Sequence, residues 1–380
     1  MTLRSLIKPV RAWVKSEKNG TEVLQEEPKN EVLKARKKAF TKESLVRIRG
    51  SQLTIEYLKC NGFECPLIIE EDVGSTGLQL HTGLANINTH VNALGGTFVV
   101  EVVDVESQEP FSMTLDEFSQ YWKSPPSRRT KTLNIISLHV GGTDLEEWIT
   151  PPTLVKEISW VETLAGFHVK REEKVDKYVL LSSKYSYTNF HIDFGGSSVW
   201  FYVIKGWKLF YLVPPTPENL RKYESWRDDD NSQVFFGDCV DVCYELKLDQ
   251  GHLMLMPGGW IHAVYTPIDT ISVSGNFLHS FSIPTQLRVQ VSEEERGEDD
   301  HFRFPGNKKL NRLAGNHLAC LLATGWCLFL LLFILFLLRF ASLFLFSFLF
   351  FFQLFLSRGR GAVPMGDRWC PSSRRPPHQD

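Results

Sequence analysis

The sequence predicts a mixed α+β fold in which helices flank a β-barrel, and three observations predict it. Between Tyr187 and Phe277, β-like and aromatic runs are broken by glycine pairs, Gly195-Gly196 and Gly258-Gly259, the punctuation of strands rather than helices. The run Thr270 to Phe277 alternates, with Ile271, Val273, Gly275 and Phe277 on one face and Ser272, Ser274 and Asn276 on the other, the period of a strand. A polar face at that period suits a wet barrel lumen, and equally the solvent side of an edge strand. Ahead of these, Met113 to Trp122 reads as a helix opened by Ser112 or Thr114.

Taken in order, residues 1–40 form a basic arm or linker, with ten Lys/Arg against five Glu. Its cluster Lys34-Ala35-Arg36-Lys37-Lys38 reads as a nuclear address, a DNA-phosphate contact or a solvated helix start. Residues 41–150 form an α/β support region, and 151–290 the barrel. Inside the barrel, Val199 to Val213 is interrupted only by Lys205-Gly206-Trp207, which reads as a hairpin with Gly at its turn. Tyr223 to Ser232 reads as a polar, solvated loop carrying Asp228-Asp229-Asp230. Leu253 to Pro257 and Trp260 to Tyr265 are strands around Gly258-Gly259.

Residues 291–316 read as a charged, loop-like linker. In the hydrophobic segment 317–356, Leu and Phe fill 26 of the 39 positions from Leu318 to Leu356. Leu318 to Leu338 is 21 uncharged residues, enough to span a bilayer core of ~30 Å. The segment is either a membrane anchor or an aberrant terminus translated from pyrimidine-rich sequence, and its low complexity favours the second. Residues 357–380 form a basic tail.

A net charge of −2 over 380 residues gives no global electrostatic case for nucleic acid. Met1 to Val14 has no apolar run of secretory-leader length. Seven scattered cysteines with no CxxC pair suit a reducing compartment.

The chemistry concentrates in His191-Ile192-Asp193 and the later His262. Two imidazoles and a carboxylate in the order His-x-Asp…His match the facial triad of non-haem iron(II), which leaves half an octahedral sphere open. In a strand, residues i and i+2 share a face. His-x-Asp alone is weak, since His378-Gln379-Asp380 repeats it at the terminus. A structural histidine or a catalytic zinc would use the same residues. Lys208 opens an apolar strand, where an ammonium needs an anion or a route to water; a dicarboxylate held also by Thr188 would supply the anion.

Taken together, these motifs resemble the JmjC-domain histone lysine demethylases, in the branch whose members carry an F-box or a PHD finger beside the catalytic domain. The resemblance runs from about Gly50 to about Leu287 and rests on Leu133 to Leu138, Ile158 to Glu162, Tyr187 to Trp200, Phe235 to Asp238, Gly259 to Val264 and Gly275 to Ser280. It implies a double-stranded β-helix, a jelly-roll or cupin-like JmjC barrel, over 151–290. It further implies iron(II) on His191, Asp193 and His262, with 2-oxoglutarate on Thr188, Lys208 and Asn134 and O2 as the second cosubstrate. The activity implied is oxidative demethylation of mono- or dimethyl-lysine in histone tails on nucleosomes, in the nucleus. A stable hydroxylation and a non-enzymatic chromatin scaffold are the alternatives.

The sequence departs from the family pattern in three places. Phe201 stands where close relatives place a Tyr against the cosubstrate, and His139 stands where they usually have Glu. No cysteine-rich finger spacing occurs in these residues. A lost hydrogen bond at Phe201 is worth about 0.5–1.5 kcal/mol, which implies weaker cosubstrate binding rather than inactivity.

Overall fold

The computed structural model describes residues 45–105, 109–164, 174–228, 234–298 and 303–324. The arm at 1–40, the acidic Asp229-Asp230 and the tract from residue 325 onward lie outside the described residues. The described residues up to Ala314 form one compact unit. Of the second unit, 315–380, the described residues 315–324 are helical. Among the described residues, no helix is long and apolar enough to cross a membrane.

The chain builds β1 (Val46–Ile48), α1 (Ile55–Asn61), β2 (Leu67–Ile69), β3 (Gln79–Leu80), α2 (Ile87–Leu94), β4 (Val99–Asp104), β5 (Glu109–Thr114), α3 (Leu115–Lys123), β6 (Leu133–His139), β7 (Ile149–Thr150), α4 (Thr153–Ile158) and α5 (Trp160–Thr163). It continues with β8 (Tyr178–Ser182), β9 (Ser186–His191), β10 (Ser198–Lys205), β11 (Trp207–Val213), α6 (Pro217–Asp228), β12 (Tyr244–Asp249), β13 (Leu253–Met256), β14 (Ile261–Thr266), β15 (Thr270–Phe277) and α7 (Ile283–Glu295).

Two sheets carry the fold. One has nine strands in the order β1-β2-β13-β10-β15-β8-β6-β4-β5, the other four in the order β12-β11-β14-β9. The last eight strands alternate between the sheets except at β11 and β12, which pair as neighbours in the smaller one, an order consistent with a jelly roll. Strands from 41–150 extend the larger sheet at both ends. An apolar layer between the sheets joins Val199, Phe201, Met254 and Met256 of one to Phe210, Leu212 and Leu246 of the other.

Local chemistry explains the predicted helix. Thr114 caps α3 by accepting from the Glu117 amide, and the Glu117 carboxylate accepts from the Thr114 amide, a reciprocal box. Met113 remains in β5, so the helix begins two residues later than the sequence suggests.

Three expectations are corrected. Val199 to Val213 is not a hairpin, because β10 pairs with β13 and β15 while β11 pairs with β12 and β14. Gly206, at φ +86, is the corner where the chain passes from one sheet to the other. A methyl there would lie 2.5 Å from the Thr270 hydroxyl. Tyr223 to Asp228 is helical, because Leu220, Tyr223 and Trp226 bury one stripe of α6, the spacing of a helix face. The charged run after Val291 is likewise no loop: α7 extends to Glu295, and residues 307–314 are helical.

Candidate metal centre

The alternating strand β15 lies between β10 and β8, so its polar face cannot be a solvent-exposed edge. Ser272, Ser274 and Asn276 are each at most 2 % exposed and look into the barrel. Ile271, Val273 and Phe277 join the core on the other side of the sheet.

His191 closes β9, Asp193 is an extended residue just beyond it, and His262 is the second residue of β14. The strand therefore supplies the first ligand group, and the extended residue after it supplies the second. Ligand atoms of all three lie within 4.8 Å of one another. Asp193 Oδ1 is 3.7 Å from His191 Nε2 and 3.9 Å from His262 Nε2.

The outer face of each imidazole decides its tautomer. His191 Nδ1 lies 2.8 Å from the Asn189 carbonyl and His262 Nδ1 3.0 Å from the Trp260 carbonyl. A carbonyl oxygen only accepts, so both Nδ1 atoms carry the proton and both Nε2 lone pairs face Asp193. Burial holds both rings neutral by pushing them down to about 4; for His191, the adjacent His262 adds to that depression. Burial raises the Asp193 carboxyl, while the Asn276 amide donates to Asp193 Oδ2 at 3.1 Å and to Ser197 at 3.0 Å. Tyr178 in turn donates to the Asn276 carbonyl oxygen.

A bulge aligns the rest of the site. His262 pairs with His191 and Val264 with Thr188, so β9 spends three residues where β14 spends two. On a regular strand Thr188 and His191 would face opposite ways; the extra residue turns them to the same side. Val264 also opposes Phe210, which places Lys208 on that face.

Lys208 is 3 % exposed. Its ammonium donates to Ser182 Oγ at 2.8 Å and to Thr266 Oγ1 at 3.0 Å, two neutral acceptors. Burial pushes it down to about 7. Asn134 pairs across the strands with Ser182 and is 4 % exposed, with its Oδ1 unpartnered. Phe201 is buried edge-on against Phe210, ring centroids 5.2 Å apart. His139 lies exposed on β6, its ring 6.2 Å from that of Tyr178.

The structure thus gathers the three acidic and imidazole groups into one cluster and puts Thr188 and Lys208 on the barrel face that holds it. Sequence reasoning did not assign Ser182, Thr266, Tyr178 or the bridging role of Asn276. Only Asn276 carried a signal, its place on the polar face of β15.

Human lysine-specific demethylase 7A is 38 % identical over 309 residues, 79 % of this chain and 32 % of its own length. The zebrafish histone lysine demethylase PHF8 is 39 % identical over 278 residues, 73 % of this chain and 27 % of its own. Lysine-specific demethylase 2A of Xenopus tropicalis is 36 % identical over 286 residues, 72 % of this chain and 25 % of its own. The chain is a homologue of the JmjC histone lysine demethylases. No family profile matches it. It spans between a quarter and a third of the length of these curated relatives.

Proposed function

We propose that this chain is an iron(II)- and 2-oxoglutarate-dependent dioxygenase that demethylates mono- or dimethyl-lysine in histone tails. The observation that carries the reading is the pairing of two features: three groups with lone pairs converging from one side, and a buried ammonium with no anionic partner among the described residues, on the same barrel face. His191, Asp193 and His262 would hold the iron, and the fit is chemical: both imidazoles are neutral, in the tautomer that leaves Nε2 free. Lys208 would take a carboxylate of 2-oxoglutarate, with Thr188 and Asn134 donating hydrogen bonds to the cosubstrate.

Bound there, iron(II) would use O2 and 2-oxoglutarate to oxidise an N-methyl group, with succinate, carbon dioxide and formaldehyde as by-products. The protein's part is positional. Asn276 holds Asp193 at the oxygen turned away from the imidazoles. The two backbone carbonyls fix the ring planes, and the apolar wall of Phe201, Phe210 and Leu212 excludes water.

The reading takes 151–290 as the catalytic barrel, 41–150 as its support, 291–316 as a connecting segment and 357–380 as a basic tail. It places the chain in the nucleus with nucleosomal histone tails as substrate, and assigns the basic 1–40 arm to DNA phosphates. Homology to histone demethylases supports this placement. A membrane partner follows only if the 317–356 tract is a genuine anchor, and the reading does not use one.

The test supplies the full chain with iron(II), 2-oxoglutarate, ascorbate and a panel of methylated histone peptides. Succinate matched by formaldehyde on one peptide supports demethylation, whereas succinate without formaldehyde points to hydroxylation. His191→Ala or Asp193→Ala abolishes both products; formaldehyde release that survives either change refutes the iron assignment.

A further inference from the structure

Helix α7 lies outside the jelly roll, yet both segments that carry the triad rest on it. Gly195 and Gly196 follow Asp193 after one residue, Phe194, at φ +62 and +60, a left-handed pair that suits glycine. A methyl at Gly196 would come within 3.0 Å of Gln286 Cα and 3.1 Å of Val289 Cβ. The turn before His262 touches the same helix: a methyl at Gly259 would meet Thr285 Cγ2 at 2.1 Å. The two turns also touch each other, since a methyl at Gly258 would lie 2.2 Å from the Gly196 carbonyl oxygen.

Within this packing one polar contact stands out. The Gly195 amide donates to Glu293 Oε1 at 2.8 Å. Glu293 is 4 % exposed, and its Oε2 has no hydrogen-bond partner among the described residues. The residue lines a cavity of about 30 Å³ that reaches Ile192, between two members of the triad, with room for a water. Burial raises this carboxyl to about 7. An acid buried at such cost, with half its hydrogen-bonding capacity unused, is a poor device for generic stability.

Resting on the reading of the triad as an iron site, we propose that Glu293 is a positioning residue of that centre: its carboxyl fixes the Gly195 amide and so the loop that presents Asp193. The required feature is an acceptor at the right reach. Glutamine keeps it. Aspartate keeps the charge but is one methylene short.

The experiment titrates cobalt(II), a spectroscopic stand-in for iron(II), into full-length wild type, Glu293→Gln and Glu293→Asp, reading affinity from the visible bands. The expected result is near wild-type affinity for Glu293→Gln. For Glu293→Asp it is a weakening of roughly 10–100-fold, the range for outer partners of metal ligands, with altered bands. Wild-type affinity in Glu293→Asp, or an equal loss in both variants, overturns the proposal. If Glu293→Asp fails to fold, amide exchange in the wild type decides: slow exchange at Gly195 is expected, and fast exchange overturns it. Wild type that takes up no cobalt removes the iron reading and this proposal together, whereas equal uptake by all three proteins removes only the role of Glu293.

Discussion

Replacing Lys208 with Met should make the cosubstrate-free protein more stable while ending its response to 2-oxoglutarate. The ammonium falls from its ordinary 10.5 to about 7 through burial. At about 1.36 kcal/mol per unit, that shift corresponds to a cost on the order of 4 kcal/mol for holding the charge at neutral pH. Methionine loses the hydrogen bonds to Ser182 and Thr266, each worth about 0.5–1.5 kcal/mol net, and leaves those hydroxyls without their donor. The net gain is then roughly 1–3 kcal/mol, a rise in Tm of a few degrees for a unit of this size.

The pH dependence has a definite sign. The folded value is depressed below the unfolded one, so between about 7 and 10.5 the unfolded chain binds the extra proton. Wild-type stability therefore gains a rising component with pH across that window, which Lys208→Met lacks. Thermal melts with and without 2-oxoglutarate test both parts: the ligand raises the Tm of wild type and leaves the variant unmoved. A variant less stable than wild type without ligand, or one stabilised equally by 2-oxoglutarate, refutes the reasoning.

Three further outcomes follow from the same geometry. Phe201→Tyr restores a hydroxyl toward the cosubstrate and lowers the KM for 2-oxoglutarate by about 2–10-fold, the equivalent of one net hydrogen bond; an unchanged or higher KM in steady-state assays counts against that orientation. Asn276→Ala removes the donor from Asp193 and weakens metal binding roughly tenfold or more, read by the same cobalt titration. Arg129 forks onto Asp269 at 2.6 and 2.7 Å with the arginine 5 % exposed. Arg129→Met therefore costs about 3 kcal/mol, the lower end for breaking a buried pair because Asp269 is 27 % exposed; an unchanged urea midpoint contradicts it.

The triad was legible because its evidence is local: residue type, short spacing, and glycine punctuation on either side. The lumen-facing side of β15 was half legible, since alternation shows two faces but not which one is inside. Burial by β10 and β8 settles that, and no residue of β15 announces it. The corner at Gly206 was misread for a related reason. Two apolar strands joined by Lys-Gly-Trp look like a hairpin, and only pairing with β13, β15, β12 and β14 sends them to separate sheets. Glu293 was hidden most fully. It sits in the run Glu293-Glu294-Glu295, where a solvated charge is the natural reading, and the helix turns this one member inward onto Gly195. The bulge in β9 left no mark in the sequence either, although it alone allows Thr188 and His191 to share a face.

The site also predicts that its two ligands help each other bind. Without them, the barrel holds one buried carboxylate on Asp193, one buried ammonium on Lys208, and two neutral imidazoles. A dication on the triad leaves that end with one excess positive charge, and a dicarboxylate on Lys208 leaves the other end with one excess negative charge. Either ligand alone leaves the barrel with a net charge in a medium where charge is expensive; together the charges cancel. The affinity for 2-oxoglutarate should therefore rise when cobalt(II) is present, and by linkage the affinity for cobalt(II) should rise by the same factor when 2-oxoglutarate is present. Calorimetric titration of each ligand with and without the other measures both factors. Equal factors of roughly tenfold or more are expected, of which 1.4 kcal/mol corresponds to each tenfold. Affinities that do not depend on the partner ligand would mean that the ammonium and the triad do not serve one shared pocket, and the assignment of Lys208 to the cosubstrate would fall.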